Sequence, residues 1–363
     1  MIWLYLDRLD GGGVAKIHTT IARHLGDRRA WRLVLNQPVD PSHVPLTEGF
    51  APPAIAPPGL FARFRALRRL LADDPRPTLF VGNGREAIVA TLLARVRPGL
   101  RVVYVQHVDV RLNDVGPLRN IARAVAFAVP SVLVDELVVV SDGLKEAIVR
   151  RYPWLNRRIR RIYNPVLDVA DLEPPPVWPR PAEYENDRIN LVTVGRLSHQ
   201  KGYDFLIEAC RVLHRRQPDR YCVHVLGDGE ARIALERARR EAGLDVVLHF
   251  HGWRKDPRPY MQHADAYLLH SRWEGLPTVL IEACAYAQRI VAFDCPHGVR
   301  EILADHPSAR VVDRYDPVIF ASAIESVTGR PPGRASRDHL ARFALRDALL
   351  QYAPLLLVDG TAR

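Results

Sequence analysis

The sequence predicts an α/β protein made of two doubly wound domains, each with a parallel sheet covered by helices. Short apolar runs rich in β-branched residues alternate with amphipathic helical patterns along most of the 363 residues, as expected for parallel strands buried on both faces. The alternation stops at residues 168–187, which are rich in proline and acidic residues, and then restarts. With 48% apolar residues, the chain can fill two ordinary cores.

The first predicted domain spans residues 1–167. The segment 342–363, whose helix near Arg342–Tyr352 follows a Pro/Gly break, is expected to pack on it. The predicted strands are Ile2–Leu6, Trp31–Leu35, Thr78–Val81, Arg101–Val105 and Glu136–Val140, and the predicted helices include Val14–Leu25, Arg85–Arg95 and Gly143–Arg150.

The second predicted domain, residues 188–341, follows a linker at 168–187. Because ligands bind at the carboxyl ends of the strands in such sheets, two facing domains are expected to form an interdomain cleft. The predicted strands are Ile189–Val194, Tyr221–Leu226, Val246–Phe250, Ala266–His270, Ile290–Phe293 and Ala309–Val312, and the helices include Tyr203–Arg215 and Glu230–Ala242.

Charge and cysteine content limit the class of protein. Of the net charge of +10, most lies in residues 1–180, which hold 26 Arg or Lys against 17 Asp or Glu. This excess fits an anionic partner such as a lipid surface, and a solvated Arg-rich surface explains it equally well. The four cysteines have no C-x-x-C spacing and lie in or beside apolar stretches. They predict reduced, buried thiols in a cytoplasmic protein rather than a disulfide or zinc framework.

The strongest local pattern is Trp273–Ala283, WEGLPTVLIEA, which follows the predicted strand Ala266–His270 directly. Pro277 suits the first helical position, because its missing N–H loses nothing there. The N–H groups of Thr278 and Val279 are then expected to face an anion, which the helix dipole favours.

Two carboxylates flank this predicted anion site. Glu274 precedes the helix start, and Glu282 lies about 7.5 Å further along the helix axis from the first helical residue. A nucleotide sugar carries hydroxyl groups on either side of its phosphates, so it fits such a site. Taken singly, Glu282 is better explained as a solvated helix residue and Glu274 as a partner of the helix dipole, but the pair in this setting favours a ligand site.

A second pattern, VGRLSHQKG at Val194–Gly202, lies at the end of the second domain's first predicted strand. Gly195 allows the backbone to approach a ligand, while Arg196 and Lys201 can hold a diphosphate from two sides. The chain has 47 arginines and four lysines. A lysine here therefore indicates a need for a compact point charge, and a surface cation at a helix start is the alternative.

Residues Leu191–Leu303 resemble the second domain of retaining GT-B glycosyltransferases of family 4, the glycosyl transferases group 1. The resemblance rests on four motifs in order: VGRLSHQKG, VLGDGEARIALE, HADAYLLHSRWEGLPTVLIEACA and VAFDCPHGVREIL. The first half resembles the family more loosely, at Gly11–Val14, at His107, and at VVVSDGLKEAI followed by YNPV. The sequence departs from the family pattern at Tyr286–Arg289 and at Val299, which affects the loop on the sugar side.

The resemblance implies a GT-B fold, with two Rossmann-like domains facing a cleft, and a role for each matched residue. Arg196 and Lys201 would bind the pyrophosphate, Glu274 the transferred sugar, and Glu282 the ribose. Trp253 and Arg254 would meet the base, and His107 the reacting end of the sugar. The implied catalytic residues are His107, Glu274, Arg196 and Lys201, and the implied donor-binding residues are Gly12, Gly13, Gly195, Arg196, Lys201, Trp253, Arg254, Glu274, Leu276, Thr278, Val279 and Glu282.

The reaction implied is transfer of a sugar, with retention of configuration, from a nucleoside-diphosphate sugar to a lipid-linked or glycan acceptor. No D-x-D motif is present, so neither a metal nor another cofactor is expected. A UDP-sugar is favoured as donor. The alternatives are a GDP-mannose-dependent mannosyltransferase, a sugar-nucleotide epimerase of the same fold, and a catalytically silent nucleotide-binding protein. Nucleic acid is not an expected partner.

Two further patterns admit structural explanations. The segment Leu60–Leu71, LFARFRALRRLL, is basic and amphipathic, with Leu60, Phe64, Leu67 and Leu71 on one face. Such a face usually packs inward, and peripheral contact with the inner face of a cytoplasmic membrane is the alternative. His249 and His251 alternate on one strand, but no third ligand is close in sequence, so a structural role is favoured over zinc.

Overall fold

The computed structural model describes residues 1–9, 12–39, 46–82, 84–109 and 117–357. The chain divides into two compact units, here called unit 1 (Met1–Val166 with Phe343–Arg363) and unit 2 (Leu167–Arg342). Each unit is built on one parallel sheet, as predicted. Among the described residues, no helix is both long enough and apolar enough to cross a membrane.

Unit 1 contains a seven-stranded parallel sheet with the order β3-β2-β1-β4-β5-β6-β7. Its central strands are buried at every residue except the half-buried Arg101, as expected when helices cover both faces of a parallel sheet. The strands are β1 (Ile2–Leu6), β2 (Trp31–Leu35), β3 (Ala54–Ile55), β4 (Thr78–Val81), β5 (Arg101–Gln106), β6 (Glu136–Val139) and β7 (Ile159–Arg161), and the helices before residue 167 are α1 (Gly13–His24), α2 (Leu60–Leu70), α3 (Gly84–Val96), α4 (Pro117–Leu133) and α5 (Asp142–Arg151).

Unit 2 contains a six-stranded parallel sheet with the order β10-β9-β8-β11-β12-β13. Its core lies between the sheet and two long helices, α7 and α12, which pack against each other. The strands are β8 (Ile189–Val194), β9 (Tyr221–Leu226), β10 (Leu248–Phe250), β11 (Ala266–Leu269), β12 (Ile290–Phe293) and β13 (Ala309–Val312), and the helices are α6 (Val169–Leu172), α7 (Tyr203–Arg216), α8 (Arg232–Glu241), α9 (Arg258–His263), α10 (Thr278–Tyr286), α11 (Val299–Leu303), α12 (Pro317–Thr328) and α13 (Arg337–Ala341).

The last helix, α14 (Leu345–Leu356), belongs to unit 1, where it packs on α1. Tyr352 is buried and meets Phe80 of β4 edge-to-face, with 5.6 Å between ring centroids. The chain leaves unit 1 after Val166 and re-enters it at Phe343, and the Val166 N–H donates to the Phe343 carbonyl at 3.0 Å.

Residues 168–187, predicted as a linker, lie within unit 2. Trp178 meets Tyr286 of α10 edge-to-face at 5.4 Å, and the Tyr184 hydroxyl donates to the Tyr260 carbonyl at 2.8 Å. Tyr184 is buried. These aromatic side chains fix a segment whose proline and acid content suggested no packing.

Candidate functional site

Two loops meet at the carboxyl edge of the unit 2 sheet, because β8 and β11 are hydrogen-bonded neighbours. Lys201 follows β8 and Glu274 follows β11. The Lys201 Nζ donates to the Glu274 Oε1 at 2.6 Å, and the carboxylate is only 9% exposed. Gln200 ties the loops further by donating from Nε2 to the Trp273 carbonyl at 2.9 Å. The fold thus joins residues from the two strongest sequence motifs in one ion pair.

Glycines allow the backbone to pack closely around this ion pair. A Cβ at Gly227, where φ is +150°, would lie 1.9 Å from the Gly195 carbonyl oxygen. A Cβ at Gly229 would lie 2.6 Å from the Leu197 oxygen. The Leu197 N–H donates to the Asp228 carbonyl at 3.0 Å. The turn after β9 therefore supports the loop that carries Arg196, whose side chain is exposed.

His270, the residue after β11, supports the Lys201 backbone by a hydrogen bond. Its Nδ1 donates to the Lys201 carbonyl at 2.7 Å, and its Nε2 lies 3.1 Å from the Thr193 hydroxyl. Burial lowers the pKa of His270 to about 4, so the ring is neutral at neutral pH. Its Nε2 is then an acceptor for the Thr193 hydroxyl, and the tautomer is fixed by these two contacts.

The helix α10 begins one residue later than predicted. Pro277 has a ψ of 99°, so it precedes the first turn as the N-cap, and its carbonyl accepts the Leu280 N–H at 3.0 Å. No side chain caps this helix. Thr278 and Val279 are thus the first two helical residues. Their N–H groups therefore have no carbonyl acceptor within the helix.

The remaining residues of this motif surround the helix start. Leu276 is buried, and Glu282, one turn along α10, is half-buried. A third loop closes the site beside Leu276, since a Cβ at Gly298 would lie 3.1 Å from the Leu276 Cα. The Glu274 backbone pairs with this loop through Pro296 O at 2.6 Å and His297 N at 3.0 Å.

Trp253 and Arg254 follow β10, two strands away from β8, which is about 10 Å at the usual strand spacing. Trp253 is 70% exposed. The Arg254 guanidinium pairs with Glu183 at 3.1 Å. The preceding Gly252 carbonyl accepts the Gly227 N–H at 2.8 Å, which joins this loop to the turn after β9.

The predicted unit 1 residues cluster separately within that unit. Gly12 is the N-cap of α1 and Gly13 its first residue, while Gly11 lies outside the described residues. His107, just after β5, contacts α1 through His18, with 2.9 Å between the two Nε2 atoms. Burial lowers the pKa of His107 to about 4 and that of His18 well below its ordinary value. Both rings are therefore neutral at neutral pH.

Sequence reasoning did not find His18, Gln200 or His270. Each acts by supporting a predicted residue across a tertiary contact, and no local pattern distinguishes it from other polar residues. A buried polar group in unit 1 was also missed. There, the Asn36 amide donates to Glu86 at 2.7 Å, and burial raises the pKa of Glu86 to about 7.

Comparison with known proteins agrees with this architecture. The fold is similar to that of the Anabaena protein HepE in complex with UDP-glucose, with a TM-score of 0.77 and 18% identity over 98% of this chain and 99% of that one. The chain therefore has the GT-B glycosyltransferase fold, as the sequence predicted. Residues 188–329 match the family model for glycosyl transferases group 1, so unit 2 contains a domain of that family.

Curated relatives support the same family. The amylovoran biosynthesis glycosyltransferase AmsD of Erwinia amylovora is 24% identical over 317 residues, which are 82% of this chain and 80% of that protein. The lipopolysaccharide core biosynthesis glycosyltransferase LpsE of Rhizobium meliloti is 31% identical over 170 residues, which are 44% of this chain and 48% of LpsE. The chain thus spans about half the length of LpsE, and likewise 45% of an uncharacterized glycosyltransferase of Methanocaldococcus jannaschii.

Proposed function

We propose that this protein transfers a sugar from a nucleoside-diphosphate sugar, preferably a UDP-sugar, to a lipid-linked or glycan acceptor with retention of configuration. The observation that carries the proposal is the Lys201–Glu274 ion pair beside the uncapped start of α10. The likeness to HepE, whose structure contains UDP-glucose, supports the donor class. The names of AmsD and LpsE support a place in surface-polysaccharide or glycolipid assembly.

In this proposal the bond from the anomeric carbon to the diphosphate oxygen breaks as a bond to the acceptor oxygen forms. The acceptor proton leaves with the diphosphate or passes to solvent. Arg196, Lys201 and the N–H groups of Thr278 and Val279 stabilise the growing negative charge, which is the usual source of the largest rate gain. Gly195 lets the diphosphate approach the loop.

The other predicted residues receive roles around this centre. Glu274 contacts the transferred sugar and positions Lys201, while Glu282 accepts from the ribose hydroxyls. Trp253 and Arg254 meet the base, and their distance of two strands from β8 suits the length of a nucleotide. For unit 1 the resemblance assigns His107 to the sugar and Gly12 and Gly13 to the phosphates, and these roles stay predictions.

We expect UDP to bind and stabilise the protein. At one hundred times its dissociation constant, a single ligand raises the free energy of unfolding by about 2.7 kcal/mol. Thermal shift measurements against UDP, GDP, their sugars and adenine nucleotides give the base preference. A larger shift with GDP would favour the mannosyltransferase alternative, and the absence of a shift with every nucleoside diphosphate would contradict the proposed function.

We also expect transfer to proceed without a divalent metal, because Arg196, Lys201 and the start of α10 already provide positive charge for the leaving diphosphate. The rate should be unchanged when EDTA is added. A rate that disappears in EDTA and returns with manganese or magnesium would show that a metal takes part.

A second part of the proposal places the acceptor at a membrane surface. Of the apolar face predicted on α2, Leu67 and Leu71 are buried and Phe64 is half-buried, so most of this face packs inward. Leu60, at its start, is 52% exposed, and Phe61, which lies off that face, is 71% exposed. Arg65, Arg68 and Arg69 are exposed, and α2 contains no acidic residue. Exposed apolar residues are also found on α3, which packs on α2, and on α4, which packs on α3: Val96 is 60%, Val125 56% and Val129 51% exposed.

We expect the protein to sediment with anionic vesicles at low salt and to be released as salt rises. Each arginine near an anionic surface contributes about 1 kcal/mol, so replacing Arg65, Arg68 and Arg69 by Gln should lower the partition on the order of 100-fold. Phe61→Ser should weaken it independently of salt. A matched control is Ile233→Ser, since Ile233 is 84% exposed on α8, whose Arg232 and Arg237 pair with acids. Equal sedimentation of all variants would remove the membrane part.

A further inference from the structure

A group of histidine, cysteine and glutamate side chains lies on one face of the unit 2 sheet, away from the proposed donor site. His249 of β10 is the register partner of His224 in β9, so both side chains point to the same face. Cys222, two residues before His224, shares that face. Val223 and Leu248 point to the other face and lie in the apolar core.

The segment before β8 covers this face and brings a carboxylate to it. The Glu185 N–H donates to the Asn190 Oδ1 at 3.0 Å, and the Asn190 amide donates back to the Glu185 carbonyl at 2.7 Å. Tyr184 packs on His224, with 4.5 Å between ring centroids. The Glu185 backbone is therefore fixed, and its Oε1 lies 3.6 Å from the buried Cys222 Sγ.

The His249 ring has a nitrogen suited to bind a metal. Its Nε2 is buried and has no hydrogen-bond partner, whereas the ring hydrogen-bonds the Val246 backbone. Because Nε2 makes no such bond, the Val246 contact belongs to Nδ1, which leaves an Nε2 lone pair available. A ring nitrogen held by a backbone carbonyl is the usual support for a metal-binding histidine. His224, by contrast, uses its nitrogens on His251 at 3.0 Å and Asn190 at 3.1 Å.

We propose that Glu185, Cys222 and His249 bind a zinc ion. One ligand atom from each lies within 4.8 Å of the other two. Tetrahedral zinc needs ligand atoms about 3.3–3.8 Å apart. The Glu185 Oε1 and the Cys222 Sγ, 3.6 Å apart, already meet this requirement, so the three ligand atoms have to approach by no more than about 1.5 Å at the His249 nitrogen. Arg188, which pairs with Glu185 at 3.2 Å, also lies 3.5 Å from Asp219 and keeps that partner.

The charges of the three ligands match that of a divalent ion. Binding breaks the Cys222 S–H bond, and the proton passes to solvent. One thiolate, one carboxylate and a neutral imidazole then leave the zinc site with no net charge, which keeps the cost of burial low. Thiolate and imidazole together favour zinc over magnesium or calcium. Three protein ligands leave the fourth position to water.

The ion would pin residues 183–187 to β9 and β10 and so stabilise unit 2. Cys222 stands five residues before Gly227, about 16 Å along the strand from the carboxyl edge. The zinc site is therefore separate from the proposed donor site.

The test uses the full-length chain without an affinity tag, reduced and stripped of metal. Titration with Co²⁺ should produce a thiolate-to-cobalt charge-transfer band that Zn²⁺ abolishes, and elemental analysis should find one zinc per chain. Zn²⁺ should raise the melting temperature. None of these readouts involves nucleotide or transfer, so the result does not depend on the proposed function.

Three variants and one control make the assignment specific. Cys222→Ala should abolish the band, and Cys284→Ala should retain it, because Cys284 is equally buried in the same unit but contacts Ile302 instead. His249→Gln should lower affinity by more than about 100-fold, the upper end for supporting residues. Glu185→Gln changes only an exposed side chain and should weaken binding at least about 10-fold. A missing thiolate band, or equal zinc binding by Cys222→Ala, would overturn the proposal.

Discussion

Replacing Lys201 by Ala should lower kcat by about 100- to 1000-fold, the range found when one donor to a developing anion is removed. In the proposed mechanism the lysine faces the leaving diphosphate, whose negative charge grows in the transition state, so kcat should fall by more than donor affinity. Steady-state kinetics together with UDP binding separate the two effects. A change confined to KM would show that Lys201 only anchors the ground state.

The same substitution should also destabilise unit 2, and this effect must be separated from catalysis. Without Lys201, the buried Glu274 carboxylate loses the partner 2.6 Å away. Breaking a buried pair from one side costs about 3–5 kcal/mol, and the lower end applies because Lys201 is 20% exposed. In the double variant Lys201→Ala/Glu274→Gln, stability should largely return while kcat stays low. Recovery of kcat together with stability would contradict a catalytic role for both residues.

Replacing Gly227 by Ala should have the largest effect on stability. The new Cβ would lie 1.9 Å from the Gly195 carbonyl oxygen at a φ of +150°, so the loop that carries Arg196 has to move. We expect the free energy of unfolding to fall by at least about 4 kcal/mol, as it does for severe defects in a core. UDP binding should also be lost. Urea denaturation followed by intrinsic fluorescence measures the first, and calorimetry the second.

Gly243→Ala is the matched control for this variant. Gly243 also has a positive φ, +67°, but nothing lies within 4 Å of its Cβ position. Only the left-handed backbone penalty of about 1–2 kcal/mol remains there. If the two variants unfolded at the same urea concentration, close packing of Gly227 against Gly195 would not be what requires the glycine.

Much of the fold was predictable because the buried parallel strands are marked by continuous apolar runs. All eleven predicted strands are present, with Val246–Phe250 shortened to Leu248–Phe250. The strands β3 and β7 were missed, since one has two residues and the other, Ile-Arg-Arg, lies at the sheet edge with two arginines. The helix predicted from Glu230 begins at Arg232, because Gly229 and Glu230 are used in the turn that packs on Leu197.

The candidate site was predictable where its residues are close in sequence. Lys201 and Glu274 were each predicted from a separate sequence motif. The pairing of β8 with β11 explains why the two side chains meet. The supporting contacts were not predictable, because they join residues far apart in the chain. His18 and His107 are 89 positions apart, and Lys201 and His270 are 69 apart. Such pairs depend on strand order, which sequence periodicity does not define.

The chain leaves unit 1 after Val166 and returns to it at Phe343, and this order affects folding during synthesis on the ribosome. Unit 1 is interrupted by the whole of unit 2, and α14, which buries Tyr352 against Phe80, is translated after unit 2. At 5–20 residues per second, the intervening segment takes about 10–35 s to emerge. During that time the first 166 residues lack α14, so the apolar surface of β4 that it covers stays exposed. Unit 2, by contrast, is continuous in the chain and can fold as it emerges. We therefore expect unit 2 to acquire protease resistance first in nascent chains, and unit 1 to acquire it only after α14 has left the ribosome.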